Sequence, residues 1–305
     1  MARLLRALQR VAEAMEGSRK ILGINKRNLH YIYPLNRRRD FQIADNKLRT
    51  KEVLASYGVP MPETYRVFHH FYELTDLATS LAPYRDFVVK PAMGSGGNGI
   101  VVITGRRDDA WITVTGKRLT DQDLRQHIAN IIFGVFSFDM HDQAIVESRL
   151  VQHPQLDVLS PFGLADIRII LHENRLALAM VRLPTRASDG KANIHQGAIG
   201  AGIDLKDGTI THAVLRGAPI AAHPDLDMPL IGYAIPLWEQ TKVLAEKIAA
   251  AVPLKYLGVD IALTPHHPVL LEINVRPGLQ IQCANMTGLS ALLSKPPNNS
   301  GVSHR

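Results

Sequence analysis

The residues with the clearest chemical potential lie near the C-terminal end. In Leu270-Leu271-Glu272-Ile273-Asn274-Val275, strand alternation sends Glu272 and Asn274 out of one face while their neighbours enter a core. Asp260 stands on the preceding β-type run, residues 258–263, and a hairpin between the two runs would bring it to the same face. Two carboxylates and an amide there make a hard-oxygen set suited to Mg2+ that also bridges substrate phosphates. Two solvated acids on an exposed sheet face are the bland alternative, and the apolar character of the strand disfavours it. A second feature is the glycine loop Met93-Gly94-Ser95-Gly96-Gly97-Asn98-Gly99. Its spacing matches a dinucleotide fingerprint, but it runs into the β-branched stretch Ile100 to Ile103 instead of a helix, and no Lys-Ser or Lys-Thr follows it. What remains is a flap between two antiparallel strands, able to lay its N–H groups over phosphates, or a plain flexible hairpin. Lys90 ends the strand before the flap, the reverse of the protein-kinase order, and no H-R-D or D-F-G follows. The pairs His69-His70 and His266-His267 read as surface residues beside a helix start and in a turn.

The elements that must position these groups follow from periodicity. A helix pattern runs from Asp45 through Leu48, Val53 and Leu54 and closes at Gly58, and an extended segment then leads to Phe68. A short helix is expected over 73–81, strands over 87–89 and 100–103 on either side of the flap, a helix over 119–132 and a strand over 144–146. Residues 166–172 and 175–183 flank Glu173-Asn174 as a hairpin, and a helix over 237–252 ends at Pro253. Hairpins mixed with helices indicate an α+β fold with mainly antiparallel sheets. The 305 residues allow two lobes. The expected division is an N-terminal arm over 1–40, a first lobe over 41–145, a second over 146–290 and a Ser/Pro/Asn-rich tail over 291–305.

Charge is unevenly distributed. Residues 1–51 hold 13 Lys or Arg against 4 Asp or Glu, a net of +9, so the remainder carries −2 of the total +7. Within that arm Leu4, Leu5, Leu8, Val11, Ala12 and Met15 recur at helical spacing, with Arg3, Arg6 and Arg10 mostly to the other side. This basic amphipathic helix would dock on a membrane or an acidic protein partner, or pack on its own domain. Aromatic residues barely interleave with the cations, which argues against a nucleic-acid partner. The single cysteine, Cys283, fits a reducing compartment, and no apolar run is long enough to span a membrane. A cytoplasmic protein is expected, with peripheral membrane attachment as one reading of the arm. Oligomeric state is not readable.

Taken in order, these segments resemble the ATP-grasp superfamily, and within it the α-L-glutamate ligase (RimK-like) group. The resemblance rests on Asp45-Asn46-Lys47 with Thr50-Lys51, Val59-Pro60-Met61-Pro62, Val88-Val89-Lys90-Pro91, the glycine flap, Ile145-Val146-Glu147, Asp166-Ile167-Arg168, Asn193-Ile194-His195, Gly258-Val259-Asp260 and Leu271-Glu272-Ile273-Asn274 with Pro277-Gly278. It implies an ATP-grasp fold whose two lobes hold ATP between them. Lys47, Lys90 and the flap residues Gly94, Ser95, Gly96, Gly97, Asn98 and Gly99 would then meet the phosphates. Glu147, Ser148, Arg149 and Leu150 would form the hinge against adenine, with Asp166 near the ribose. Asp260, Glu272 and Asn274 would hold two Mg2+ ions, or Mn2+ in their place. Arg168, Lys191, Asn193 and His195 would line the phosphate and acceptor side. Arg168 and Arg276 can clamp oxyanions in bidentate fashion, or pair with the acids of the metal site. His195 is a candidate base for an amine. The implied reaction joins a carboxylate to an amine, adding glutamate or another amino acid to a peptide or protein through an acylphosphate, with release of ADP and phosphate. A catalytically inactive ATP-binding regulatory module is the alternative. Two departures stand out: Ser148 replaces a second hinge acid, and a short basic arm stands where those ligases carry a preceding substrate-binding domain.

Overall fold

The computed structural model describes residues 20–294, so the amphipathic pattern over 2–15 and the end of the tail lie outside the described residues. Strand-forming runs collect into two large antiparallel sheets. The first contains β1 (Thr64–Phe68), β2 (Phe87–Pro91), β3 (Val101–Arg107), β4 (Ala110–Thr113), β5 (Arg118–Leu119) and β6 (Ala144–Glu147), in the order β1-β6-β2-β3-β4-β5. The second contains β7 (Asp166–His172), β8 (Arg175–Leu183), β9 (Ile199–Ile203), β10 (Ile210–Leu215), β11 (Ala218–Ile220), β14 (Tyr256–Leu263) and β15 (Pro268–Asn274), in the order β11-β10-β9-β8-β7-β14-β15. Two short strands, β12 (Ala222–His223) and β13 (Met228–Pro229), pair separately. This is the expected α+β architecture.

Local chemistry sets the elements. Asn46 caps the Lys47–Ala55 helix, accepting from the N–H groups of Leu48 and Arg49 at 2.9 and 3.2 Å, and so places Lys47 in the first turn. The Asp121–Ile132 helix starts with a capping box in which Thr120 Oγ1 accepts from Asp123 N while Asp123 accepts from Thr120 N. Glu173 and Asn174 both have positive φ, +48° and +65°, the conformation of a two-residue turn matched to strand twist. All eight residues of β14 are buried, which requires cover on both faces. The Trp238–Ala251 helix packs against β7, β8 and β15, and the Ile281–Ala284 turn against β8, β9 and β10.

Packing redraws the expected divisions. One core is built on β1, β2, β3, β6 and the Asp121–Ile132 helix. Leu22, Ile32, Phe41, Leu54 and Val59 instead join the other core, beneath the seven-stranded sheet. Residues 22–62 therefore belong physically with the second lobe, so neither a separate arm to residue 40 nor a first lobe from residue 41 matches the packing. The reason is apolar content: the helical turns of this segment bury Leu22, Ile32, Phe41 and Leu54 against the larger of the two cores. Likewise the Leu289–Leu293 helix buries Leu293, so ordered packing continues past the expected start of the tail. Among the described residues no helix is long and apolar enough to cross a membrane.

Candidate active site

A cavity of about 1190 Å3 lies between the two sheets. From the first lobe it receives Lys90 on β2 and Glu147 at the end of β6, strands that are direct neighbours. Glu147 is buried between two ammonium groups: Lys90 Nζ pairs with its Oε1, and Lys51 Nζ lies 2.8 Å from its Oε2. Lys51 also donates to Pro62 O at 2.6 Å, which ties the Lys47–Ala55 helix to this cluster. Burial lowers the Lys51 ammonium below its usual range, against the pull of Glu147. One turn earlier, Lys47 Nζ donates to Gly94 O at 2.7 Å and stands 3.5 Å from Glu272 Oε2.

The second lobe contributes a row of charges across four adjacent strands. Arg182 on β8 lies opposite Asp166 on β7, Arg168 on β7 opposite Asp260 on β14, and Asp260 opposite Glu272 on β15. Arg182 Nε and Nη2 donate to Asp166 at 2.5 and 2.6 Å, and Nη2 also donates to Asp260 Oδ2 at 2.8 Å. Arg168 grips both oxygens of Asp260, with Nε at 2.7 Å from Oδ1. Burial alone would raise the Asp260 carboxyl, but the two guanidinium groups outweigh it and hold Asp260 well below the usual carboxylate range. Burial pushes Asp166 up to about 6; Arg182 opposes the shift and the charge on Asp260 reinforces it. Burial would lower Arg182, and Asp166 with Asp260 more than reverses that.

Asn274 Nδ2 lies 3.3 Å from Glu272 Oε1 and 3.4 Å from Asp260 Oδ2, so the three expected ligand side chains converge. Among the described residues no group of three or more His, Cys, Asp or Glu side chains gathers as a self-sufficient metal cage. Two carboxylates and an amide fit Mg2+, which takes few protein ligands and leaves room for water and phosphate oxygens. They do not fit a metal that needs nitrogen or sulfur donors.

The flap is anchored at its base and bridged at its tip. Met93 N donates to both oxygens of buried Asp142 at 3.1 Å, and His127 Nε2 meets Gly99 O at 2.9 Å. At the tip, Gly96 and Gly97 have φ of +67° and +78°, where a side chain would be strained. Asn193 Nδ2 donates to Gly96 O at 3.0 Å, joining the flap to the opposite lobe.

The expected site residues fall into three groups. Lys47, Lys90, Gly96, Gly97 and the hinge residues 147–150 line the cavity, as do Asp166, Arg168, Lys191, Asn193, His195, Asp260, Glu272 and Asn274. Ser95, Asn98 and Gly99 line a second cavity of about 600 Å3, where Phe136 packs beside Gly99; Gly94 packs on Pro91. These four lie outside the lining of the larger cavity, and Gly97 borders both cavities. Arg276 is a correction. It is half exposed, absent from the cavity lining, 3.5 Å from Asp45 Oδ1 and stacked over Phe41 at 5.0 Å, because it follows the end of β15. Ser148 closes the strand edge at the hinge: its N donates to Glu63 O at 2.8 Å and its Oγ accepts from Glu63 N at 2.9 Å.

Three residues here were not expected: Arg182, Lys51 and Gln280, whose Nε2 lies 2.8 Å from His195 Nε2. Lys51 was findable, since it stands four residues after Lys47 on one helix face. Arg182 was not, because a bulge between Ile170 and Leu171 in the β7–β8 register decides its partner.

A two-lobed arrangement of antiparallel sheets, with a glycine flap over a cleft lined by lysines and an Asp/Glu/Asn set, defines the ATP-grasp class. The D-alanine–D-alanine ligase of Helicobacter pylori shares this fold, at 14% identity with a TM-score of 0.50 over 82% of this chain and 59% of that one. The profile of the sugar-transfer associated ATP-grasp family matches residues 26–296, and the chain belongs to that family. Curated relatives include the probable α-L-glutamate ligases of Maridesulfovibrio salexigens, 24% identical over 249 residues, and of Legionella pneumophila, 24% identical over 251 residues. Each match covers 82% of this chain, which spans about three-fifths (61%) of the length of those relatives.

Proposed function

We propose that the chain is an ATP-dependent carboxylate–amine ligase. The observation that carries this reading is the convergence of Lys47, Lys90 and the Asp260/Glu272/Asn274 set on one cleft beneath the flap. Lys47 and Lys90 would neutralise nucleotide phosphates, and the backbone amides of Gly96 and Gly97, which line the cleft, would cover them. Mg2+, held by Asp260, Glu272 and Asn274, would supply further charge neutralisation on those phosphates. The hinge residues 147–150 would meet the base through their backbone.

In this reading a substrate carboxylate oxygen attacks the γ-phosphorus, the bond to the β,γ-bridging oxygen breaks and ADP departs. An amine then attacks the carbonyl carbon of the acylphosphate, the carbon–oxygen bond to phosphate breaks and phosphate leaves. The amine gives up a proton on the way, and His195, at the cleft and beside Gln280, is the candidate acceptor. Arg168 and Lys191 supply positive charge for the oxyanions. The curated relatives are named as probable α-L-glutamate ligases, which supports glutamate or another amino acid as one substrate; a peptide or protein is the proposed other.

The test is ADP release with Mg2+ and ATP across pools of amino acids and peptides, with mass spectrometry of the products. A pool-dependent release with a product one condensation heavier, falling about 100-fold or more in Glu272→Gln, is the expected result. Tight ATP binding without release in any pool would overturn the ligase reading in favour of a regulatory module.

A further inference from the structure

The strongest unassigned feature lies on the opposite kind of surface, at the start of the described chain. Three helical stretches run on without a break: an α-turn over Ile24–Arg27, a π-turn over Asn28–Ile32 and an α-turn over Tyr33–Leu35. Their inner side is fastened to the second lobe. Leu22 N donates to Gln282 Oε1 at 2.8 Å, Arg27 Nη1 to Pro277 O at 2.8 Å and Asn36 Nδ2 to Tyr256 O at 2.6 Å. The π-turn spaces this buried series as Arg27, Ile32 and Asn36, steps of five and four residues.

The outer side follows the same spacing. Ile24, Leu29 and Tyr33, again five and four residues apart, are 63%, 63% and 59% exposed, and Ile21 just ahead is 57% exposed. An apolar row of this kind on a rigidly held helix is costly in water unless something covers it. Its surroundings indicate the cover. Residues 20–39 contain six Lys or Arg and no Asp or Glu; Arg27 is buried on the inner side, Lys20, Lys26, Arg37, Arg38 and Arg39 are exposed, and Asp40 stands 3.8 Å from Arg39. Immediately ahead in sequence, residues 1–19 add aliphatic side chains at helical spacing and four arginines, Arg3, Arg6, Arg10 and Arg19, against two acids, Glu13 and Glu16.

We propose that this face is a docking site for an anionic lipid surface. Ile21, Ile24, Leu29 and Tyr33 would enter the boundary between headgroups and acyl chains, with the arginines at the phosphate level. Interfacial helices bind by apolar burial and cationic attraction together, and both are present on one fixed surface. A predominantly cationic rim, with Lys20, Lys26, Arg37, Arg38 and Arg39 exposed and Asp40 beside Arg39, fits an anionic lipid surface better than a second copy of the chain, which would bring the same cations against them. This proposal stands independently of the ligase reading.

The test is co-sedimentation of the full chain with vesicles of phosphatidylcholine alone and with added phosphatidylserine, at low and raised salt. Binding is expected only with the anionic lipid, weakening as salt rises. Ile24→Ser with Leu29→Ser should reduce the partition coefficient about tenfold or more. Arg37→Gln with Arg38→Gln should reduce it about fivefold per charge. Both pairs are exposed, so circular dichroism should be unchanged. No binding to anionic vesicles would overturn the proposal. So would binding that ignores both pairs but is lost in Leu5→Ser with Leu8→Ser, which would assign docking to residues 1–19 alone. A concentration-dependent dimer in sedimentation velocity, broken by Ile24→Ser with Leu29→Ser, would overturn it in favour of a second copy.

Discussion

Two buried charge clusters face the same cleft and are built from different cations. At the hinge, one carboxylate, Glu147, sits between the ammonium groups of Lys51 and Lys90. In the second sheet, two carboxylates, Asp166 and Asp260, are laced together by the guanidinium groups of Arg168 and Arg182. The difference follows from donor shape. A planar guanidinium can grip one carboxylate with a fork and reach a second, whereas an ammonium is a compact point charge on a flexible stem. The arginine cluster therefore fixes four strand positions relative to one another. The lysine cluster joins elements of both lobes, since Lys51 belongs to a helix packed in the second core and Glu147 to the first sheet.

The largest effect is expected at Arg182. Arg182→Met should lower stability by about 3–5 kcal/mol in urea denaturation, because it strands Asp166 and weakens the hold on Asp260 inside the sheet. Arg182→Lys should recover only part of that, since one ammonium cannot reproduce the fork. A loss under about 1 kcal/mol for the Met variant would show that the cluster does not lock the strands.

A smaller effect is expected at the hinge. Lys51→Met keeps the aliphatic stem and leaves Glu147 its contact with Lys90, so a cost of about 1–3 kcal/mol is expected by the same measurement. A cost equal to that of Arg182→Met would erase the distinction between the clusters. Ser148→Ala removes one hydroxyl at the same hinge and should cost about 0.5–1.5 kcal/mol. Its signature is faster amide exchange at Glu63, while the amides of β14 keep their protection.

The mildest effect concerns pH and the second lobe alone. His172, buried against Tyr31 at a ring separation of 5.6 Å, has its imidazole pushed below the usual range by burial. The unfolded chain then takes up this proton first, so stability is full above about pH 6.5 and falls as pH drops below it. Thermal melts between pH 7.5 and 5.5 should show a steeper loss for the natural chain than for His172→Phe. Parallel curves would remove His172 from the account.

Much of the fold was legible in local pattern. The Glu173-Asn174 turn and the flap between two β-branched runs express short-range chemistry and lie where their residues place them, while the caps Asn46 and Thr120 set the helix starts at Lys47 and Asp121, two residues after the expected ones. The β2–β3 pairing begins with Phe87 opposite Ile103, as the flanking runs imply. What pattern did not reveal was allegiance. Residues 22–62 precede the first sheet in sequence yet pack in the second core, because that core offered the larger apolar surface. Arg276 illustrates a similar failure: its neighbours in sequence suggest the site, but the chain leaves β15 at Asn274 and carries Arg276 away to Asp45 and Phe41.

By itself the sequence determined which groups were available: Lys47, Lys90, the glycines of the flap and Asp260, Glu272 and Asn274. Tertiary structure decided which of them face one another, through two single-residue bulges. Mirroring about the Glu173-Asn174 turn sets Val181 opposite Asp166; the irregularity between Ile170 and Leu171 shifts the pair to Arg182. In β14–β15, continuing the Leu263–Pro268 register would set Leu271 opposite Asp260; the shift between Asp260 and Ile261 brings Glu272 there. Side chains alternate faces with a period of two, so each one-residue shift decides whether a charged group meets its partner in the cleft or points to the other side of the sheet. A bulge is selected by the packing of both faces at once, and that information is spread over the whole second lobe.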